Sequence, residues 1–147
     1  RAKTCQPSIQ ATGIDWRRHP GWPGVTVVRG DVLSAPFAPQ SCDVIVGISS
    51  LEHIGLGHYA HDPIDSDGDM KVMQLIRSWL KPGGWCYFDV PYNPRGYRVQ
   101  GSQCRVYDDV ALLHRFGPHQ VLGYSKSSPL AWVPQLAPKT NCRRFVD

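Results

Sequence analysis

Residues 41–93 read SCDVIVGISSLEHIGLGHYAHDPIDSDGDMKVMQLIRSWLKPGGWCYFDVPYN, and this stretch decides the fold. Its first part, DVIVGI at residues 43–48, is apolar on both faces, which is typical of a strand buried between helix layers in a parallel sheet. Apolar residues then recur at helical spacing, which predicts a helix over residues 65–80 that ends at KPGG. The aromatic and β-branched run WCYFDV predicts the next strand at residues 85–90.

The flanking sequence extends the same alternation of strands and helices. Short apolar runs predict strands at residues 11–16 and 25–29, the second of them ended by Gly30-Asp31. A short helix at residues 108–116 and a strand at 119–124 follow, and we expect irregular or edge structure from about 125 to 147. Strands joined by crossovers predict an α/β fold with a mainly parallel sheet, built as a single domain over residues 1–147.

Composition limits the classes of protein that the chain can represent. With 147 residues, 41% hydrophobic and 19% charged, it is predicted to fold as one domain rather than to be disordered. No apolar run approaches the length of a membrane span, so we expect none. Five widely spaced cysteines without a CxxC pair indicate reduced thiols and a cytoplasmic location. The net charge of +4 comes from a basic excess after Pro91, which indicates either an anionic partner or a solvated face.

Ligands of parallel α/β sheets bind beyond the carboxyl ends of the strands, so the residues there are the candidates for a site. Four short segments occupy such positions in the predicted sheet. They are Asp15-Trp16, Asp31-Val32, the segment from Ser49 to His53, and the segment from Pro91 to Asn93.

Residues 41–93 also resemble a known group of enzymes. The strand before SSLEHIGLG, the DPxDxDGD string and LKPGG are similar to segments of the class I S-adenosylmethionine-dependent methyltransferases, within a methyltransferase-like family grouped under a domain of unknown function. The resemblance implies a Rossmann-like fold. Such enzymes open with a strand and a GxGxG turn, whereas the twelve residues before Gly13 contain no glycine. We therefore expect the first βα unit to be missing.

The resemblance implies S-adenosylmethionine as cofactor and assigns residues to it. Asp15 would accept hydrogen bonds from both ribose hydroxyls, with Trp16 beside the adenine. Asp31 would accept from the adenine amino group, the Val32 backbone amide would meet a ring nitrogen, and Ser49 would also contact the cofactor. The alternatives are turn aspartates and a core tryptophan.

Glu52 and His53 are the candidate catalytic residues. Glu52 is the only glutamate of the chain, and it directly follows a predicted strand end. Histidine titrates near neutral pH and a carboxylate can fix its tautomer, so the two residues together can orient or deprotonate a nucleophile. In the alternative interpretation, Glu52 caps a short helical turn and His53 packs beneath it.

Substrate contacts are predicted for Tyr92, Asn93 and Arg95, which follow the strand at residues 85–90; a plain turn is the alternative. Arg98 and Arg105 would join Arg95 around a small or anionic substrate. Nucleic acid is also an open partner, although no RNP-type motif, zinc finger or helix-turn-helix signal supports it.

No metal site is predicted. His53, His58, His61 and Asp62 lack the spacing of a helical zinc site, and the DSDGD string fails the calcium-loop template, so we expect it to cap the helix. The sequence thus predicts S-adenosylmethionine-dependent methyl transfer to an unidentified acceptor. The alternative is a non-catalytic methyltransferase-like scaffold or partner-binding module.

Overall fold

The computed structural model describes residues 9–18, 20–21, 23–59, 63–123 and 130–134. The chain divides into two compact units, Arg1–Pro36 and Phe37–Asp147. In chain order the elements are β1 (Ala11–Asp15), β2 (Val25–Arg29), β3 (Cys42–Gly47), α1 (Gly68–Trp79), β4 (Leu80–Val90), β5 (Arg98–Gln100), β6 (Cys104–Val106), α2 (Asp109–Phe116), β7 (His119–Gly123) and β8 (Leu130–Pro134). Short 3-10 helices, Val32–Ser34 and Leu51–His53, follow β2 and β3.

The first unit is built on one parallel pair of strands. β1 and β2 pair in parallel from Ala11 opposite Val25 to Asp15 opposite Arg29. Both strands therefore end on the same side, and the backbone amide of Gly30 donates to the carbonyl of Asp15 at 3.0 Å. The residues that follow the two strands lie next to each other.

The second unit contains a four-stranded sheet in the order β3-β4-β8-β7. β3 and β4 are parallel, whereas β8 is antiparallel to both β4 and β7. The predicted strands are present, but their arrangement differs from a single mainly parallel sheet, because the two parallel pairs belong to separate sheets. The segment expected to be irregular contains β8, an interior strand whose short apolar run LAWVP is bounded by prolines.

Helix α1 covers one face of this sheet and carries much of the core. Its apolar side chains Val72, Met73, Ile76 and Trp79 are buried, as are Cys86, Phe88 and Val90 of β4. The helix begins three residues later than predicted, because the carbonyl of Asp65 accepts from Gly68 and its carboxylate from Asp67, which makes a turn. The capping role predicted for the DSDGD string is wrong for the N-cap residue Asp67, which makes no side-chain capping bond, whereas Asp69 accepts from the backbone amide of Met70 in the first turn at 2.9 Å.

The opposite face of β3 is exposed, contrary to the prediction that this strand is covered on both sides. Val44, Val46 and Ile48 alternate along the chain and keep 44%, 58% and 60% of their surface accessible. Trp85, which neighbours Val44 across the β3–β4 pair, is 48% exposed. Among the described residues, an apolar row therefore remains uncovered on this face.

Two glycines allow the chain after β3 to pack against the start of α1. Gly55 has φ +78°, and a Cβ built on it would lie 2.2 Å from the carbonyl oxygen of Asp65. A Cβ built on Gly68 would lie 2.9 Å from the carbonyl oxygen of Ile54 and 3.1 Å from Cα of Gly55. The IGLG and DGD motifs are therefore two sides of one backbone contact, which needs residues without side chains.

A buried polar cluster fixes the same region from the other side. The Arg105 guanidinium, fully buried, donates to the carbonyls of Ile54 at 2.6 Å and Ser66 at 3.0 Å. Its Nε lies 3.6 Å from the carboxylate of Asp69, which also accepts from the hydroxyl of Tyr107 at 3.0 Å. We name Asp69, Arg105 and Tyr107 the Asp69 cluster. It ties the loop after β3 to β6.

Among the described residues, no helix is both long and apolar enough to cross a membrane.

The glycine contact predicts a difference between two alanine substitutions. Gly83 also has a positive φ, +81°, but nothing lies within 4 Å of a Cβ placed there. Gly83→Ala should therefore cost only the backbone term, about 1–2 kcal/mol. Gly55→Ala adds a collision with backbone and should cost about 3 kcal/mol or more in urea-induced unfolding. Equal losses for the two variants would contradict the contact.

The Asp69 cluster predicts a larger loss. Asp69→Asn removes the charge opposite a buried guanidinium, and breaking a buried pair in this way costs about 3–5 kcal/mol of unfolding free energy. Asp67→Asn is the matched control, since Asp67 is 58% exposed and lies 3.8 Å from Arg115, so it should change stability by about 0–1 kcal/mol. Chemical denaturation of both variants measures the difference, and similar values for the two would refute the structural role of Asp69.

Candidate functional site

The first unit gathers the carboxylates predicted to hold the cofactor. Asp15 ends β1, and its side chain accepts from the backbone amide of Arg17 at 2.8 Å and from the Arg17 guanidinium at 2.8 Å. The side chain of Arg17 is 63% exposed, so this ion pair lies at the surface. Trp16 is half-buried, and its carbonyl accepts from Arg29 of β2 at 3.2 Å.

Asp31 follows β2 and performs a capping function. Its carboxylate accepts from the backbone amide of Leu33 at 2.9 Å and so begins the 3-10 helix that contains Val32. The parallel register brings Asp15 and the end of β2 side by side. Two carboxylates and the amide of Val32 therefore stand at adjacent carboxyl ends of one strand pair.

In the second unit, three polar residues come together at the carboxyl ends of β3 and β4. Ser49 has φ +44°, a left-handed conformation that is uncommon for a residue with a side chain. Its backbone amide donates to the carboxylate of Asp89, the penultimate residue of β4. Its hydroxyl donates to Oε1 of Glu52 at 3.0 Å. We name Ser49, Glu52 and Asp89 the Glu52 site.

Glu52 is the most unusual residue of this group. It is 1% exposed, and its Oε2 is buried without a hydrogen-bond partner among the described residues. Burial raises the pKa of the Glu52 carboxyl above its ordinary value, and the negative charge of Asp89 adds to the increase. The backbone amide of Glu52 itself, the neighbouring His53 and the Ser49 hydroxyl act in the opposite direction and lower this pKa. Glu52 is therefore protonated at a higher pH than an ordinary glutamate.

His53 lies beside Glu52 with a defined tautomer. Its Nδ1 is within hydrogen-bond distance of the carbonyl oxygen of Gln103, in the turn between β5 and β6. A carbonyl only accepts, so Nδ1 carries a proton. The other ring nitrogen, Nε2, faces Oε1 of Glu52 at 3.6 Å, and the ring stacks on His58 with 5.0 Å between centroids.

The predicted substrate residues follow β4 at the same end of the strand. Tyr92 forms a bridge with Tyr107, and the backbone amide of Asn93 donates to the Tyr107 carbonyl at 2.8 Å. The side-chain oxygen of Asn93 accepts from the amide of Arg95 at 3.0 Å, which is the geometry of a turn. Arg95 itself is exposed.

Arg105 does not join the substrate group. The sequence analysis placed it with Arg95 and Arg98 around an anionic substrate, but its side chain is fully buried in the Asp69 cluster. Both terminal nitrogens of its guanidinium already donate to main-chain carbonyls, so this prediction was wrong. Arg98 is exposed on β5.

The histidines near Glu52 do not form a metal site with the other described residues. Within the described ranges, no three His, Cys, Asp or Glu side chains are grouped so that they could hold a metal ion. His53 and His58 are in ring contact, whereas His61 and Asp62 lie outside the described residues.

Two participants were missed by the sequence analysis. Asp89 stands one residue before the end of β4, inside WCYFDV, and the rule of examining strand ends was applied only from Pro91 onward. The carbonyl of Gln103 belongs to the backbone and leaves no signal in the sequence. Contacts across 40 and 50 residues bring these groups to Ser49 and His53.

A shallow surface depression lies elsewhere and is not connected with these residues. Gln40, Arg77 and Lys81 line it, at the beginning of β4. The Glu52 site lies beyond the other end of that strand, so strand-end geometry and buried acids define the candidate site better than surface shape does.

Comparison with solved structures identifies the fold. The 1,6-didemethyltoxoflavin-N1-methyltransferase of Burkholderia thailandensis, solved with 1,6-didemethyltoxoflavin and S-adenosylhomocysteine, superposes with a TM-score of 0.63 at 15% identity, covering 84% of this chain and 59% of the enzyme. Human N-acetylserotonin methyltransferase, in complex with SAM, gives 0.62 at 13% identity, covering 90% of this chain and 42% of the enzyme. An S-adenosylmethionine-dependent methyltransferase of Methanosarcina mazei gives 0.54 at 15% identity, with 83% and 78% covered.

The chain thus spans about three fifths and two fifths of the first two enzymes. These similarities, all far below 25% identity, establish a Rossmann-like α/β fold, which these three methyltransferases share. No curated protein matches the chain in sequence. A family profile matches residues 36–132, about two thirds of the chain. The chain therefore belongs to the family described as Caenorhabditis protein of unknown function, DUF268.

Proposed function

We propose that the chain is the S-adenosylmethionine-dependent part of a methyltransferase that acts on a protic acceptor. The observation that carries the proposal is Glu52, a buried carboxyl that lies beyond the end of the parallel strand β3 and has one oxygen without a partner among the described residues. Methyltransferases of known structure that share the fold support the reaction type. The acceptor's identity is left open.

The first unit suits the adenosine portion of the cofactor. Asp15 and Asp31 offer carboxylate oxygens beyond neighbouring strands, which match the donors of a ribose diol and an adenine amino group. Arg17 now pairs with Asp15, but exposed ion pairs are worth about 0–1 kcal/mol, so ribose hydroxyls can replace it at low cost. Trp16 and Val32 are the other cofactor contacts proposed for this unit, and Ser49 is proposed as a cofactor contact of the second unit.

The bound cofactor would supply a methyl group that a nucleophile attacks in line. The protein's own task is to hold the nucleophile and to accept its proton when it has one to lose. Glu52 has a raised pKa and an oxygen free to take that proton, while His53 is oriented beside it by the Gln103 carbonyl. Tyr92, Asn93 and Arg95 are proposed to contact the acceptor.

One observation favours the alternative, a non-catalytic module that binds a partner. The row formed by Val44, Val46, Ile48 and Trp85 exposes apolar surface on one face of β3 and β4. Exposed apolar groups of this kind are typical of interaction surfaces. The alternative requires no cofactor, so cofactor binding distinguishes the two functions.

Calorimetric titration with S-adenosylhomocysteine tests the cofactor assignment. Asp15→Ala and Asp31→Ala should each weaken binding by about 1–3 kcal/mol, through loss of charge-assisted hydrogen bonds. Asp43→Ala is the control, because Asp43 is 78% exposed and pairs with Lys81 at the start of β3. If neither substitution weakens binding, the two aspartates do not contact the cofactor. If the parent protein does not bind S-adenosylhomocysteine at all, the partner-binding module is favoured.

Labelled methyl transfer tests the catalytic pair. Tritiated S-adenosylmethionine is offered with a fractionated small-molecule extract, and transfer is compared among the parent protein, Glu52→Gln and His53→Asn. Loss of a general base should reduce transfer by about 10² or more, with the melting temperature nearly unchanged. A drop in melting temperature with activity falling only in proportion to folded protein would assign the pair a structural role instead.

A further inference from the structure

The conformation of Ser49 is held by contacts at both ends of the residue. A left-handed backbone is unfavourable for a residue with a Cβ, so Ser49 must be stabilised by its neighbours. Its amide donates to the Asp89 carboxylate, and its hydroxyl donates to Glu52. Ser49 is thus a link between two acids that lie 37 residues apart in the chain.

The two carboxylate oxygens of Glu52 differ in their hydrogen-bond partners. Oε1 receives the Ser49 hydroxyl at 3.0 Å and also faces Nε2 of His53 at 3.6 Å. Oε2 is buried and receives no hydrogen bond from the described residues. A carboxylate oxygen that already accepts a hydrogen bond is a weaker proton acceptor than one that does not. The arrangement makes Oε2 the more basic oxygen.

We propose that Asp89 and Ser49 are positioning residues that fix Glu52 so that Oε2 takes the acceptor's proton. This inference rests on the proposed function and narrows it to acceptors with an O–H or N–H group. In the step, the O–H or N–H bond breaks and the acceptor's electron pair forms the new bond to the methyl carbon. The proton goes to Oε2, and the electron pair of the broken carbon–sulfur bond stays on the cofactor's sulfur.

Several ionisable groups face Glu52, and they act in different directions. His53 favours the charged carboxylate, and so does the hydroxyl of Ser49, whereas Asp89 disfavours it. Cys104 of β6 also interacts with Glu52. Burial and the negative charge of Glu52 both raise the pKa of the Cys104 thiol. The positioning role therefore predicts opposite effects for two substitutions, which a general loss of structure would not produce.

Glu52 can be observed alone because it is the only glutamate in the chain. Protein labelled with ¹³C at the glutamate side-chain carboxyl gives a single resonance, whose titration reports the Glu52 pKa without cofactor or acceptor. Asp89→Asn should move the midpoint to lower pH, because a like charge is lost. Ser49→Gly should move it to higher pH, because a donor to the carboxylate is lost.

The variants are chosen so that folding does not obscure the result. Glycine adopts φ +44° freely, so Ser49→Gly can keep the backbone conformation while it removes the hydroxymethyl side chain and its hydrogen bond to Glu52. Asp43→Asn makes the same chemical change as Asp89→Asn at the exposed start of β3, and it should leave the midpoint unchanged. A midpoint unmoved by Ser49→Gly, or raised by Asp89→Asn, would overturn the positioning role. If Asp89→Asn fails to fold, Ser49→Gly alone decides.

The second measurement is the pH profile of labelled methyl transfer. If Glu52 is the proton acceptor, the acidic limb should follow its midpoint, moving to lower pH in Asp89→Asn and to higher pH in Ser49→Gly. If methyl transfer occurs but neither substitution shifts the acidic limb of its pH profile, Oε2 is not the proton acceptor. Shifted midpoints in a protein that transfers no methyl group would overturn the proposed function and the proton role together, while the contacts around Ser49 would stand.

Discussion

The buried carboxylate of Asp69 is the interaction on which the second unit depends. Arg105 and Tyr107 approach it from β6 and the residue that follows, and Arg115 of α2 donates to it at 2.8 Å. The amide of Met70 also donates to it, at 2.9 Å. One side chain near the start of α1 thus joins two helices and a strand. A charge in this position is tolerable only because several donors replace the water that it lost.

Arg105 connects the Asp69 carboxylate to the chain segment that follows Glu52. Its guanidinium binds the carbonyls of Ile54, Asp65 and Ser66, so the chain just after the Leu51–His53 helix cannot move independently of α1. Gly55 and Gly68 then allow the two backbones to touch. Residues outside the Glu52 site therefore help to fix the position of Glu52. The IGLG and DGD motifs, which resemble segments of methyltransferases in sequence, thus provide a close contact between two backbone segments at Gly55 and Gly68.

The sequence predicted local structure well and distant contacts poorly. Val25–Arg29 is a strand with the predicted bounds, and the strand-end rule located Asp15, Asp31 and Ser49. Helix α1 was predicted to start too early, because Asp65 uses its carbonyl and carboxylate in a turn that periodicity does not reveal. Arg105 was misassigned because charge can be read from a sequence, whereas burial depends on which carbonyls the fold presents.

The two buried acids of the second unit differ in how completely their oxygens are hydrogen-bonded. Both oxygens of Asp69 are engaged, one by Arg115 and a backbone amide and the other by Tyr107. Glu52 has one engaged oxygen and one buried without a partner in the described part of the chain. A buried polar atom left unsatisfied costs about 1–3 kcal/mol, and among the described residues Oε2 of Glu52 shares this state with Nε of Arg105. Burial raises the pKa of the Glu52 carboxyl, so the fold favours the protonated form of Glu52 more than water would.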